Sequence, residues 1–164
     1  MLPAFFALFT ETLIVYDEVY TDRSLTCGAL WVPPGEKPTP DEVADDFGAR
    51  MEAIAGVDAE RLFEVSKLVD EHHPPGSYYF LQFMGVEPAG QGRGLGSALM
   101  RPILDRCDRE REWAYLDATS DRNKRLYERH GFEAEASTRP RAGRRCSQCG
   151  VSRTRAADVF DPFV

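Results

Sequence analysis

Gly90-Gln91-Gly92-Arg93-Gly94-Leu95-Gly96 sets a glycine at every second position of a seven-residue turn, which few folds require. It follows an apolar and aromatic stretch, Tyr78 to Val86, that reads as a strand covered on both faces. It precedes a helical pattern, Leu95 to Arg111, with Leu95, Leu99 and Ile103 on one core-facing stripe and Pro102 as a source of bending. Glycine allows left-handed backbone angles and close approach that a Cβ would obstruct. A strand turning through such a loop into a helix aims unpaired N–H groups, at the positive end of the helix dipole, at whatever lies before it. That is an anion site, suited to phosphate oxygens. Two familiar phosphate loops are excluded by spacing. No Gly-Lys-Ser/Thr follows as a P-loop needs, and glycines two apart throughout fail the G-x-G-x-x-G of dinucleotide folds.

The rest of the chain surrounds this turn with alternating elements. Leu2 to Val15 has helical spacing, Val19–Asp22 and Leu25–Val32 read as two short strands, and Pro33-Pro34-Gly35 ends the second. Asp41 is an expected N-cap for an amphipathic helix to about Ile54, which Gly56 breaks; Asp58 opens another to His72. After the turn come a buried strand over Trp113–Ala118, a short helix over Asn123–His130 closed by Gly131, and a strand over Phe132–Ala136. Strand, helix, strand, helix, strand from residue 78 onward predicts an α/β layered domain.

Composition narrows the function. The chain has 164 residues, room for one domain, and a net charge of −7. Residues 1–88 carry a net of −11 and residues 89–164 a net of +4. An acidic protein is poorly suited to sequence-independent nucleic-acid binding, so no nucleic-acid partner is expected. The longest apolar run, Leu2–Phe9, is far short of a membrane span, and no membrane partner is expected. With no basic head on that run and four unevenly spaced cysteines, a cytoplasmic setting is expected. The basic half suits a small polyanion, the acidic half a cation.

Gln91-Gly92-Arg93-Gly94-Leu95-Gly96 fits Gln/Arg-x-x-Gly-x-Gly/Ala in full. Downstream lie Ala114-Tyr115-Leu116-Asp117-Ala118-Thr119-Ser120, then Asn123, Tyr127 and Glu128-Arg129-His130-Gly131-Phe132. With these segments the sequence resembles the GNAT superfamily of N-acetyltransferases. The order of segments, Ala29-Leu30-Trp31-Val32-Pro33-Pro34 and the helical insert at 41–72 look most like its puromycin acetyltransferase branch. The resemblance implies an α/β fold with a mixed, mostly antiparallel central sheet flanked by helices. It also implies acetyl-coenzyme A as cosubstrate and a small-molecule primary amine as acceptor, attacking the thioester directly. The acidic first half favours a cationic amine.

The resemblance assigns roles residue by residue. The amides of Gln91, Gly92, Arg93, Gly94, Leu95, Gly96 and Ser97 would hold the pyrophosphate. The backbone of Met84, Gly85 and Val86 would hold the pantetheine arm and polarise the thioester carbonyl. Asn123 would hold the cofactor arm, with a helix N-cap as its plain alternative. Tyr127 would be the general acid that protonates the departing thiolate, with core packing as the alternative. Where related enzymes often carry a Glu base, this strand has Gln82, which does not accept a proton at neutral pH. Glu87, Asp117, His72 and His73 are substitutes; the two histidines also suit a helix end. Gln82 leaves a second reading open, a catalytically silent acyl-coenzyme A-binding module.

Both ends depart from the family. The expected acetyltransferase domain is 1–136, without the family's first strand and helix, and residues 137–164 are an atypical Arg-rich tail. Residues 137–155 hold six Arg and no acid, so only Val159–Val164 weakly offers a last strand. Cys146 and Cys149 have the spacing of half a zinc site, but the remaining ligands are distant and no metal is expected. An open sheet edge and Phe5, Phe6 and Phe9 near the start predict self-association as a homodimer.

Overall fold

The computed structural model describes residues 2–71, 73–134 and 149–152. Helix α1 (Leu2–Leu13) leads into the hairpin of β1 (Val19–Thr21) and β2 (Cys27–Val32). Helices α2 (Ala44–Ala55) and α3 (Ala59–Glu71) precede β3 (Tyr79–Val86), and α4 (Leu95–Glu110) follows the glycine turn. Strand β4 (Ala114–Asp117), helix α5 (Asp121–Glu128), β5 (Phe132–Ala134) and β6 (Cys149–Ser152) complete the order. The strands form one sheet, β1-β2-β3-β4-β6-β5, antiparallel across β1, β2 and β3 and parallel from β3 onward. The expected α/β architecture, a mixed sheet flanked by helices, is present.

The sheet separates two apolar layers. On one face Leu99, Met100, Ile103 and Cys107 of α4 pack on Ala29, Trp31, Tyr79, Leu81, Ala114 and Leu116. Burying each large side chain there stabilises the fold by about 1.5–3 kcal/mol. The helix runs through Pro102 without ending. On the other face Leu13, Val32, Phe80 and Tyr115 form a second cluster with Phe9 and Tyr16 at its margin. Phe5, Phe6 and Phe9 are half-buried, with their rings 4.8–5.8 Å from Phe83, and Phe47 of α2 lies 5.0 Å from Phe9. So α2 and β3 share in covering the aromatic face of α1. An Arg106–Glu18 ion pair ties α4 to the sheet, with the Tyr20 hydroxyl donating to Glu18 at 2.6 Å. Burial and that hydrogen bond push the Tyr20 phenol up to about 12.

Four local expectations are corrected. Asp41 caps no helix: residues Asp41–Val43 form a 3-10 turn, α2 starts at Ala44, and the Asp41 carboxylate holds Lys37 at 2.7 Å. Asn123 neither opens nor caps its helix, because Ser120 does so, accepting from the Asn123 amide at 3.2 Å. His73 meets the end of α3 only through its backbone, its amide donating to the Asp70 carbonyl at 3.2 Å; its ring binds Asp117 instead. A strand forms at Cys149–Ser152, inside the stretch read as tail, because β4 and β5 leave a slot whose backbone groups it satisfies on both sides. His72, Cys146 and Val159–Val164 lie outside the described residues.

Candidate active site

The site begins where two parallel strands part. β3 pairs with β4 only through Tyr79–Leu81 against Ala114–Leu116, while β3 runs on to Val86. Among the described residues the strand beyond Leu81 is paired to β2 alone, which leaves the opposite edge of its backbone open toward α4 and α5. A one-residue bulge at Gln82, where Leu30 faces Phe83 and Trp31 faces Leu81, lies at the point of divergence. Phe80 and Phe83, three residues apart, both pack on the α1 side, as a bulge between them requires.

Hydrogen bonds beyond the bulge show which backbone groups face the open edge. The Glu87 amide donates to Thr26 on the β2 side at 2.8 Å. The Val86 carbonyl accepts from Gln91 Nε2 on the other side at 3.1 Å. Since successive residues alternate, Met84 and Val86 present their N–H and C=O to the fork and Gly85 presents its own to β2. Of the three residues expected to hold an extended ligand by backbone bonds, two are so oriented.

The turn closes the top of the fork. Pro88–Gly90 is a 3-10 turn, Gly92 and Gly94 have φ of +76° and +85°, and Gly94 is the N-cap residue of α4. The first amide to bond back within the helix is that of Ala98, to the Gly94 carbonyl at 3.0 Å. The amides of Leu95, Gly96 and Ser97 therefore precede the helical ladder and point out of its end. The Gln91 amide is already engaged by the Pro88 carbonyl at 3.3 Å, so its part in anion binding is reduced. Arg93 is exposed on the loop. Four glycines serve different ends. A Cβ on Gly90 would meet Leu95 at 3.1 Å and one on Gly96 would meet Leu126 at 3.2 Å, whereas Gly92 and Gly94 face open space. The first pair lets the turn and α5 pack closely; the second leaves room for a ligand.

Helix α5 carries the other expected residues. Tyr127 is buried in the α4-side core, 5.8 Å from Phe132, in the cluster that Met84 and Val86 border. Burial pushes its phenol up to about 12, so it holds its proton at neutral pH. Asn123 donates to Thr119 Oγ1 at 3.4 Å. His130, just past the helix, lies 2.8 Å from Ser97 Oγ and links α5 to the first turn of α4. Burial, Arg129 and Arg101 hold its pKa below the ordinary histidine value. That link was not foreseen; a polar residue at 130 beside a polar Ser97 was its one signal. Of the substitutes for a base, Glu87 is exposed, whereas Asp117 and His73 meet at 3.1 Å. Among the described residues no cluster suits a metal ion.

Because α5 has only eight residues, its position rests on its cap and its packing. Ser120→Ala is expected to lower stability by about 1 kcal/mol in urea unfolding. An unchanged midpoint would mean that Asn123 or Thr119 takes over the cap.

Residues 54–134 match the family model of the acetyltransferase (GNAT) domain. The chain is similar to an uncharacterized N-acetyltransferase of Schizosaccharomyces pombe, 32% identical over 74 residues, which are 45% of this chain and 28% of that protein. It is also similar to a solved structure described as histone acetyltransferase HPA2 and related acetyltransferase from Corynebacterium glutamicum. There the identity is 24%, the TM-score 0.49, and the match covers 79% of this chain and 61% of the other. The chain thus spans less than two thirds of the length of either. The segment matched by the family model runs from the end of α2 to β5 and includes the fork, the glycine turn and Tyr127.

Proposed function

We propose that the protein transfers an acetyl group from acetyl-coenzyme A to the primary amine of a small, cationic acceptor. The observation that carries this is the fork between β3 and β4, closed by the glycine turn. An extended thioester arm can add to the open edge at Met84 and Val86, with its pyrophosphate at the amides of Leu95, Gly96 and Ser97. The acceptor would meet the thioester beside Gln82, on the side of the sheet rich in carboxylates and aromatic rings. Within the family, Ala29–Pro34 and the helices between β2 and β3 favour the puromycin acetyltransferase branch. Cys27 and Cys107 are buried in reduced form, which suits the cytoplasm. No helix among the described residues is long and apolar enough to cross a membrane.

The test is release of free thiol from acetyl-coenzyme A in the presence of 2-phenylethylamine, spermidine or lysine methyl ester. Amine-dependent release supports transfer. Binding of acetyl-coenzyme A in calorimetry without release from any amine would favour a silent binding module, the reading that Gln82 motivates.

Binding itself has a proton signature. A phosphate beside Ser97 would raise the lowered pKa of His130, so the complex takes up protons and affinity rises as pH falls toward 6. Calorimetry in two buffers of different ionisation enthalpy is expected to show net uptake near pH 6.5. Equal heats in both would put the phosphates away from Ser97.

A further inference from the structure

An amine that becomes an amide must lose a proton, and the carboxamide of Gln82 is no base. Its Oε1 is buried with no hydrogen-bond partner among the described residues, beside the point where the strands divide. The register that pairs Leu81 with Leu116 makes Gln82 and Asp117 the next residues on the two sides of the fork. Asp117 lies on the face of Tyr115, two residues earlier, which packs with Leu13 and Phe80 on the α1 side. One Asp117 oxygen accepts from the Tyr115 hydroxyl at 3.1 Å, and the other is 3.1 Å from His73 Nε2. The His73 ring is anchored 4.6 Å from Phe80 and 5.0 Å from Tyr115. The same ring lines a cavity of about 530 Å³ with Glu36, Asp70, Tyr78 and Phe80. His73 and Asp117 are 14% and 23% exposed, so their contact is shielded from bulk water. Two oriented polar side chains therefore bridge the fork and the cavity.

Packing alone does not call for this. A carboxylate taken largely out of water costs several kcal/mol unless its lone pairs are satisfied, and an apolar residue at position 117 would cover the same rings.

We infer that Asp117 and His73 form the exit path for the acceptor's proton, an inference that rests on the acetyl-transfer reading above. The bound ammonium first gives one proton to the Asp117–His73 path; its freed lone pair then forms the C–N bond to the thioester carbonyl carbon, and the C–S bond breaks with its electron pair on sulfur. The sulfur takes the proton of Tyr127. The extra proton on nitrogen passes to the Asp117 carboxylate, then to His73 Nε2, while Nδ1 releases one to water in the cavity. Tyr127 regains its proton from solvent, so of the two protons the ammonium gives up, one is balanced by the thiol proton and one is released. Asp117 touches the reacting amine; His73 and the Tyr115 hydroxyl position it. The titratable groups around the His73 ring are Asp117 and Tyr115 of β4, Tyr78 just before β3, Asp70 of α3, and Glu36 with Lys37 across the cavity.

The test compares the parental protein with D117N and H73Q, using acetyl-coenzyme A and whichever of the three amines gives the fastest thiol release. Both variants are expected to lose roughly 10²-fold in kcat, with acetyl-coenzyme A affinity within twofold by calorimetry. The acid limb of kcat/KM should move upward in H73Q toward the pKa of the amine, because only amine that arrives neutral then reacts. Should D117N melt below the assay temperature, H73Q and rescue of His73→Gly by added imidazole decide the same question. Parental turnover and an unmoved pH profile in H73Q would overturn the relay and leave acetyl transfer standing. Thiol release from the parental protein that does not depend on any amine would overturn both.

Discussion

Tyr127→Phe is expected to slow acetyl transfer by roughly 10²-fold while acetyl-coenzyme A binds as before, because only a proton donor is removed. The phenol lies in the α4-side core on α5, with its ring packed near Phe132, so phenylalanine keeps that packing. Burial pushes its pKa up to about 12, which keeps it protonated through the neutral range. A thiolate leaving in such surroundings gains most from a nearby neutral donor, since no water competes for the bond. The loss should appear in kcat with amines whose thiol release is limited by collapse of the tetrahedral adduct. Parental turnover in Tyr127→Phe would make Tyr127 a packing residue, and the acid would have to be sought elsewhere on α5 or the turn.

What could be read from the chain was what adjacent residues decide together. The apolar stretch before Gly90 and the stripe of Leu95, Leu99 and Ile103 predict a buried strand and a core-facing helix from periodicity alone, and both form. The Gly92 and Gly94 angles follow from the lack of a Cβ, also a local matter. Partners distant along the chain were not legible. Asp117 and His73 lie 44 residues apart and meet only because β4 pairs beside β3 while the loop after α3 folds over Phe80. The bulge at Gln82 has no composition signal; it follows from pairing with β2. Ser120 and Asn123 are equally good caps by type, and the backbone chose the earlier residue. Cys149–Ser152 lacks the alternation of an isolated strand, and its pairing comes from neighbours on both sides. For the same reason the proton path lay hidden among single candidates: Gln82 marked a missing base, but only the tertiary fold joined two of its substitutes.

Gly94→Leu is expected to weaken acetyl-coenzyme A binding by about 30- to 100-fold in calorimetry. Two effects add. At φ of +85° a residue with a Cβ is strained by about 1–2 kcal/mol, which the loop relieves by turning its amides away from the end of α4. A side chain here also points into open space, with no atom of the described residues within 4 Å of its Cβ, at the end of α4 where the Leu95, Gly96 and Ser97 amides are free of the helical ladder. A leucine in it would stand where phosphate oxygens must approach. Gly94→Ala separates the effects, since it brings the strain with little of the bulk, and should cost roughly tenfold. Gly96→Ala is a contrasting control: its Cβ would meet Leu126 at 3.2 Å, so it disturbs the α4–α5 contact and the melting temperature before it disturbs the ligand. A Gly94→Leu protein that melts like the parent and binds acetyl-coenzyme A equally well would remove the glycine turn from the binding site. The ligand would then have to be held along the Met84–Val86 edge alone, without the helix dipole to balance its phosphate charge.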